Sequence, residues 1–200
     1  MIIDMHNHTD LYSVCSLISP KNLVELYINN NIDGLCITEH NYLWTVDEQN
    51  KLINRYKGKI KIFFGIEVNT DVGHVLLFGS NNHYYGDITL KDLIKSIDRK
   101  KTALIWAHPL RWKLYKDVKI NKALVDLFDA VELYNGNLTN NIINNTMNTF
   151  NPFNVKYTGG SDTHATEMAN KYATKFNESF DTLEGLIENL KNSSYKPVVL

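Results

Sequence analysis

Apolar residues along the chain fall alternately into short continuous runs and stripes at helical spacing, and the two patterns take turns from one end to the other. The segment Ile2-Ile3-Asp4-Met5-His6 predicts a short buried strand. Ser19-Pro20 then opens a helix through Leu23, Leu26 and Tyr27, with proline near the first helical position. Asp33-Gly34 closes that helix, Leu35-Cys36-Ile37-Thr38 reads as a second strand, and a weakly helical segment from Val46 to Tyr56 stops at Gly58. A third strand from Ile60 to Val68 and a fourth from His74 to Phe78 flank the short loop Asp71-Val72-Gly73, which predicts a hairpin. Leu90, Leu93, Ile94 and Ile97 form a helical stripe. Thr102 to Ala107, Ala130 to Tyr134 and Val155 to Thr158 read as strands. Asn121 to Phe128, Asn137 to Phe150 and the stripe Leu183, Leu186, Ile187 and Leu190 read as helices. The paired asparagines within Asn137 to Phe150 read as compositional bias.

Strands that alternate with helices imply parallel pairing, because parallel strands need crossover connections. About seven strands in 200 residues suit an irregular α/β barrel smaller than the eightfold kind, whose typical size is roughly 250 residues. No repeat, linker or break in composition divides the chain, so residues 1–200 are expected to form a single domain. A hydrophobic content of 44% supports a real core and excludes a disordered chain. With 21 Lys+Arg against 22 Asp+Glu, nothing marks an extended nucleic-acid-binding surface. Cys15 and Cys36 form neither a CxxC motif nor a disulfide framework. No stretch approaches a membrane span and the N-terminus has no signal-like character, so a cytoplasmic protein is expected.

Titratable residues gather where strands end. His6 and His8 follow the first strand, Glu39 and His40 the second, Glu67 the third and His108 the Thr102 strand. Asp162 and His164 follow the Val155 strand and Gly159-Gly160. In a parallel barrel these ends converge on one mouth, so residues far apart in sequence become neighbours. In an extended segment His6 and His8 point to the same side, as do Asp162 and His164. Each pair either meets one ion or lies on the surface, and the recurrence favours the ion. Glu67 sits inside an apolar run, which is costly unless the carboxylate is paired or binds metal. Mixed imidazole and carboxylate donors suit zinc, manganese or iron.

The segments Asp4-Met5-His6-Asn7-His8, Thr38-Glu39-His40, Gly65-Ile66-Glu67-Val68, Gly73-His74, Ala107-His108-Pro109 and Gly160-Ser161-Asp162-Thr163-His164 resemble, in this order, the motifs of the polymerase and histidinol phosphatase (PHP) family. The resemblance implies a single-domain distorted (β/α)7 barrel with two or three divalent ions at its mouth and cleavage of phosphate esters. It implies a first ion held by His6, His8, Glu67 and Asp162, and a second that shares Glu67 and adds His74 and His108. A third would take His40 and His164. His74 starts its strand instead of ending it, which is consistent if that strand runs antiparallel to its neighbours. Cys15 stands where the family often has an acidic residue or histidine, and as a thiolate it could complete the third set. Glu39 is expected to orient an imidazole, and Cys36 to be core.

The expected chemistry is in-line attack on phosphorus by a hydroxide bridging the ions. A protonated His40 or His164 would serve the leaving group, and Arg111 would clamp the phosphate oxygens. Substrates of this kind are a small phosphomonoester or a nucleotide or oligonucleotide end, with Trp44, Trp112 and Tyr115 able to wall the pocket or stack on a base. His83 with Tyr84-Tyr85 belongs to no motif and reads as surface. Two other readings stand beside this one: an amidohydrolase-like metal-dependent hydrolase of C–N or C–O bonds, and a metal-binding but inactive module. Oligomeric state is not readable from the sequence.

Overall fold

The structure, a computed structural model, describes residues 1–111 and 118–200. Its core is a single sheet. Strands β1 (Ile2–Asp4), β2 (Gly34–His40) and β3 (Lys61–Thr70) pair in parallel; β4 (Gly73–Phe78) runs antiparallel between β3 and β5 (Ala103–Trp106). Strands β6 (Ala130–Asn135) and β7 (Tyr157–Gly160) continue in parallel from β5. On the other side of β1 lie β8 (Tyr172–Phe176) and β9 (Tyr195–Val199), both in antiparallel pairing. The sheet order is β7-β6-β5-β4-β3-β2-β1-β8-β9. It curls until its ends approach, with the Gly159 N–H of β7 donating to Thr174 Oγ1 of β8 at 2.9 Å. The result is a nearly closed barrel-shaped sheet in a mixed α/β domain, as expected, with β8 and β9 added to the seven strands read from the sequence.

Helices α1 (Pro20–Asn29), α2 (Val46–Arg55), α3 (Leu90–Ser96), α4 (Lys122–Val125), α5 (Asn140–Phe150) and α6 (Leu183–Asn192) cover the sheet. Their starts are set locally. Ser19 Oγ accepts from the Asn22 N–H with Pro20 next in line, and Thr45 and Glu48 form a reciprocal capping box at α2. Helix α4 covers only part of the span Asn121 to Phe128.

Alternation along the strands splits the sheet into two faces. Ile3, Cys36, Phe63, Leu76, Phe78, Ala103, Ile105 and Ala130 form one cluster with Leu186, Ile187 and Leu190 of α6, so α6 plugs one end of the barrel. Leu35, Ile37, Ile62 and Phe64 face α1 and α2, while Ile66, Val68, Val75 and Leu77 face α3. Following the inward positions away from α6, the side chains turn polar: Phe63 gives way to Glu67, Cys36 to His40, Leu76 to His74 and Ala130 to Glu132. Cys36 is core, as expected. The inward side chains are thus hydrophobic beside α6 and polar at the opposite, open end.

Candidate metal centre

Glu67 lies at the centre of that open end, and its two oxygens face different imidazoles. Oε2 lies 3.4 Å from His6 Nε2, 3.2 Å from His8 Nε2 and 3.0 Å from His40 Nδ1. Oε1 lies 2.7 Å from His74 Nδ1 and 3.0 Å from His108 Nε2. Parallel pairing sets His40 beside Glu67, and the antiparallel course of β4 brings His74 to the same end, as expected. Beyond the strands, His8 N–H donates to Thr163 O at 3.0 Å and Asp162 N–H to His6 O at 2.8 Å, which fixes the two short motifs side by side. Asp162 and His108 adopt positive φ, 51° and 28°, a conformation uncommon outside glycine and concentrated at functional sites.

The donor spacing can be tested against an ion. His6 Nε2 and His8 Nε2 stand 3.0 Å apart, and Asp162 Oδ1 lies 3.5 Å and 3.3 Å from them. Around zinc at ligand distances of about 2.1 Å, neighbouring donors in a four- or five-coordinate shell stand roughly 3.0–3.6 Å apart. The His6, His8, Glu67 and Asp162 contacts fall in that interval. Glu67 Oε2 is buried beside three imidazole nitrogens, yet among the described residues it accepts no hydrogen bond. Such a group is costly to bury unless something else satisfies it, and convergence of lone pairs on a common cation does so. The donor set therefore fits divalent metal. Donor atoms of His40, Glu67 and His74 also lie within 4.8 Å of one another, as do those of His8, His40 and His164, and of His6, His108 and Glu132.

Hydrogen bonds on the far side of each ring fix its tautomer. The His6 Nδ1–H donates to Glu132 Oε1 at 3.0 Å, leaving Nε2 to face the site. His8 Nδ1–H donates to Ser13 Oγ at 3.2 Å, and that hydroxyl donates to Glu39. His164 Nδ1–H donates to the Asp162 carbonyl at 3.0 Å. Asp162 Oδ2 accepts from Arg111 Nη1 at 2.8 Å and Asn137 Nδ2 at 2.9 Å, so Oδ1 is turned toward the histidines.

Charge follows from this crowding. Burial alone would push the Glu67 and Asp162 carboxyls up, but the charge on His6 and the bonds from neighbouring imidazoles hold both well below the usual carboxylate range. His8, which burial would discharge, is instead raised to about 9 by the Asp162 and Glu67 carboxylates beside it. Burial, reinforced by the charge on His8, pushes His164 down to about 4, so it faces the mouth as a neutral ring. That state suits a ligand and not the proton donor foreseen for it.

Of the residues expected at the site, His6, His8, His40, Glu67, His74, His108, Asp162 and His164 converge, and Arg111 reaches them through Asp162. Cys15 is solvent-exposed and lies in none of the donor groups found among the described residues. Glu39 touches no imidazole; it accepts from Thr9, Ser13 and Trp44 and reaches His8 only through Ser13. Trp44 is buried against Phe64, so it cannot stack on a base. Trp112 and Tyr115 lie outside the described residues.

Glu132 and Asn135 were not foreseen. Both are completely buried; Glu132 Oε2 accepts from the His108 N–H at 3.1 Å and from Asn135 Nδ2 at 2.9 Å. Three positions apart on a regular strand they would face opposite ways. The pairing of β6 with β7 shifts register between Glu132 and Tyr134, and this bulge turns Asn135 to the same side. The signal available was Glu132 itself, a carboxylate in the apolar run Val131-Glu132-Leu133, the same kind of signal as at Glu67.

A barrel whose open end gathers imidazoles and carboxylates at ion spacing defines a candidate metal-binding domain. The chain belongs to the PHP domain family, whose profile matches residues 4–188. Among solved structures it is similar to PsfC from Pseudomonas syringae, at 19% identity and a TM-score of 0.73 over 100% of this chain and 91% of that one. It is also similar to an amidohydrolase from Chromobacterium violaceum with bound sulfate and no metal, at 13% identity and TM-score 0.61, covering 82% and 87% of the two chains. A protein from Bifidobacterium adolescentis assigned as a metal-dependent phosphoesterase matches at 14% identity and TM-score 0.61, over 94% and 96%. At these identities the likeness concerns the fold. No curated protein sequence is detectably similar to the chain. No helix among the described residues is long and apolar enough to cross a membrane.

Proposed function

We propose that the chain hydrolyses phosphate esters, a phosphomonoester or the phosphodiester of a nucleotide or oligonucleotide end, with divalent ions of zinc, manganese or iron. The observation that carries this reading is Glu67, one carboxylate whose Oε2 faces His6 and His8 while its Oε1 faces His74 and His108. Two ions that share it would lie close together, as two-metal phosphoryl transfer requires. His6, His8, Glu67 and Asp162 would hold the first ion and Glu67, His74 and His108 the second. His40 and His164 would take a third, with His8 alongside. Bound there, the ions supply Lewis-acid neutralisation of phosphate oxygens and an acidified water at neutral pH.

The remaining roles belong to the protein. Arg111 is held by Asp162 at the mouth, where its fork can take non-bridging oxygens. His40, the most exposed of the clustered histidines at 29%, donates a proton to the leaving oxygen when only two ions are bound. Glu132 holds His6 in the tautomer that offers Nε2 inward.

An amidohydrolase is the competing reading, and the motif segments that carry the donor residues hold no lysine that could be carbamylated. Protein reloaded with Mn²⁺ or Zn²⁺ and offered phosphomonoesters, phosphodiesters and amides tests the choice. Turnover of phosphate esters with amides inert is expected; turnover of amides alone would overturn it.

A further inference from the structure

The rim of the mouth beside His40 is aromatic and apolar, and nothing in the proposed phosphate chemistry uses it. Tyr42 follows His40 by two positions. Its ring stacks on Tyr12 with centroids 4.0 Å apart and meets His83 at 4.9 Å. The ladder is held in place from below. Tyr12 donates its hydroxyl to Glu48 and sets its ring edge against buried Trp44 at 5.8 Å. Asn41 bonds to the Glu67 carbonyl through its N–H at 2.9 Å, and its own carbonyl accepts from the Tyr84 N–H at 3.1 Å, so the loop carrying His83 hangs directly from the strand of Glu67.

These loops also carry apolar groups into solvent. Leu11, Val14, Leu17, Val46 and Tyr85 are five of the nine large hydrophobic residues exposed among the described residues, and all lie within residues 11–17, 42–46 or 83–85, the segments that bear or adjoin the ladder. Tyr85 is 93% exposed, next but one to His83. Singly exposed apolar residues need no explanation, but a concentration of them around a fixed aromatic stack at the rim of a site does. Arg111, the phosphate clamp, follows β5, which is separated from the β2 end of the ladder by β3 and β4. Arg111 and the aromatic ladder thus lie on different sides of the mouth.

The geometry points to a substrate whose alcohol portion carries a planar aromatic ring, a nucleobase above all, which extends the ladder by stacking on the exposed face of His83 while the phosphate sits over Glu67. This inference rests on the phosphoesterase reading and narrows it. Stacking on aromatic side chains tolerates any base, since every base offers a π-face, so the platform selects a class and not one base.

The test compares adenosine monophosphate, an aryl phosphate and glycerol phosphate as substrates of the Mn²⁺-loaded protein and of its Tyr42→Leu, Tyr42→Phe and His83→Ala variants. In Tyr42→Leu and His83→Ala the ratio of KM for adenosine monophosphate to KM for glycerol phosphate is expected to rise about five- to tenfold. Tyr42→Phe keeps the wild-type ratio, since it keeps the ring. A rise for the nucleotide without one for the aryl ester identifies a base as the ligand, and a rise for both identifies any planar ring. An unchanged ratio in both truncations overturns the platform. Saturation-transfer NMR of adenosine monophosphate on the metal-free protein separates the two claims. Base-proton transfer that falls in Tyr42→Leu supports the platform even if no phosphate ester is hydrolysed, and equal transfer in wild type and variant overturns it even if all are.

Discussion

Glu132 Oε1 receives the Nδ1–H of His6 at 3.0 Å, in a contact where both residues are fully buried. The bond commits Nδ1 and turns Nε2 toward His8, Glu67 and Asp162. Both Glu132 oxygens are acceptors, for His6 on one side and for the His108 N–H and Asn135 on the other. A glutamine must turn its NH₂ toward one of those donors. Glu132→Gln is therefore expected to fold and to lose about 10- to 100-fold in metal affinity, measured by competition with a chelator. Unaltered affinity would show that Glu132 does not set the ring.

Gly160 of β7 lies directly against His6. A Cβ at this position would stand 2.6 Å from His6 Cβ and 2.8 Å from His6 N, a backbone atom and the first side-chain atom fixed to that buried backbone, neither of which can swing away. Gly160→Ala is expected to cost about 1–3 kcal/mol in thermal or denaturant unfolding and to weaken metal binding, because His6 is what must move. A variant with wild-type stability would place the strand and His6 farther apart than described.

Tyr27 shows how a helix steadies the site from a distance. Its hydroxyl lies 2.6 Å from Asp4 Oδ2 and 2.8 Å from Asn7 Oδ1, and accepts from the Asn170 N–H at 3.3 Å. Asp4 in turn accepts from the N–H groups of His6 and Ser161, which joins the segment of His6 and His8 to that of Asp162 and His164. Tyr27→Phe leaves these buried groups short of a partner and is expected to destabilise the fold by about 1–3 kcal/mol, measured by chemical denaturation.

Protons should leave when metal enters. In the metal-free protein the His8 pKa is raised to about 9, above the 6.5 of a free imidazole. Bound protons on His8 therefore favour the folded state below pH 6.5, and this contribution disappears as pH rises toward 9. The metal-free protein is expected to weaken across that window. Metal binding near pH 7.5 is expected to release about one proton or more per chain, less above pH 9, read with an indicator dye in weak buffer. No release at pH 7.5 would contradict a charged His8.

The donors were legible in the sequence because each sits where an apolar strand ends, and chain direction alone brings such ends together. His74 needed the antiparallel turn at Asp71-Val72-Gly73, which the short loop supplied. What escaped depended on register or on distant contacts. Asn135 joins the site through a bulge that no local pattern announces. Strand β9 contains Pro197, a residue that argues against a strand and is accommodated here at the end of the sheet order. Trp44, which adjoins a motif and suggested a rim position, is drawn inward by its bond to Glu39 at 3.2 Å.

The most direct test of the central claim is metal content and hydrolysis of a generic aryl phosphate, measured together for wild type and Glu67→Gln after loading with Mn²⁺ or Zn²⁺. A carboxylate shared by two ions predicts at least two ions per chain and hydrolysis that chelation abolishes in wild type. It predicts fewer ions and activity reduced by about a thousandfold or more in Glu67→Gln, since the ions supply both the charge neutralisation and the nucleophile. Full metal content and undiminished hydrolysis in Glu67→Gln would contradict it.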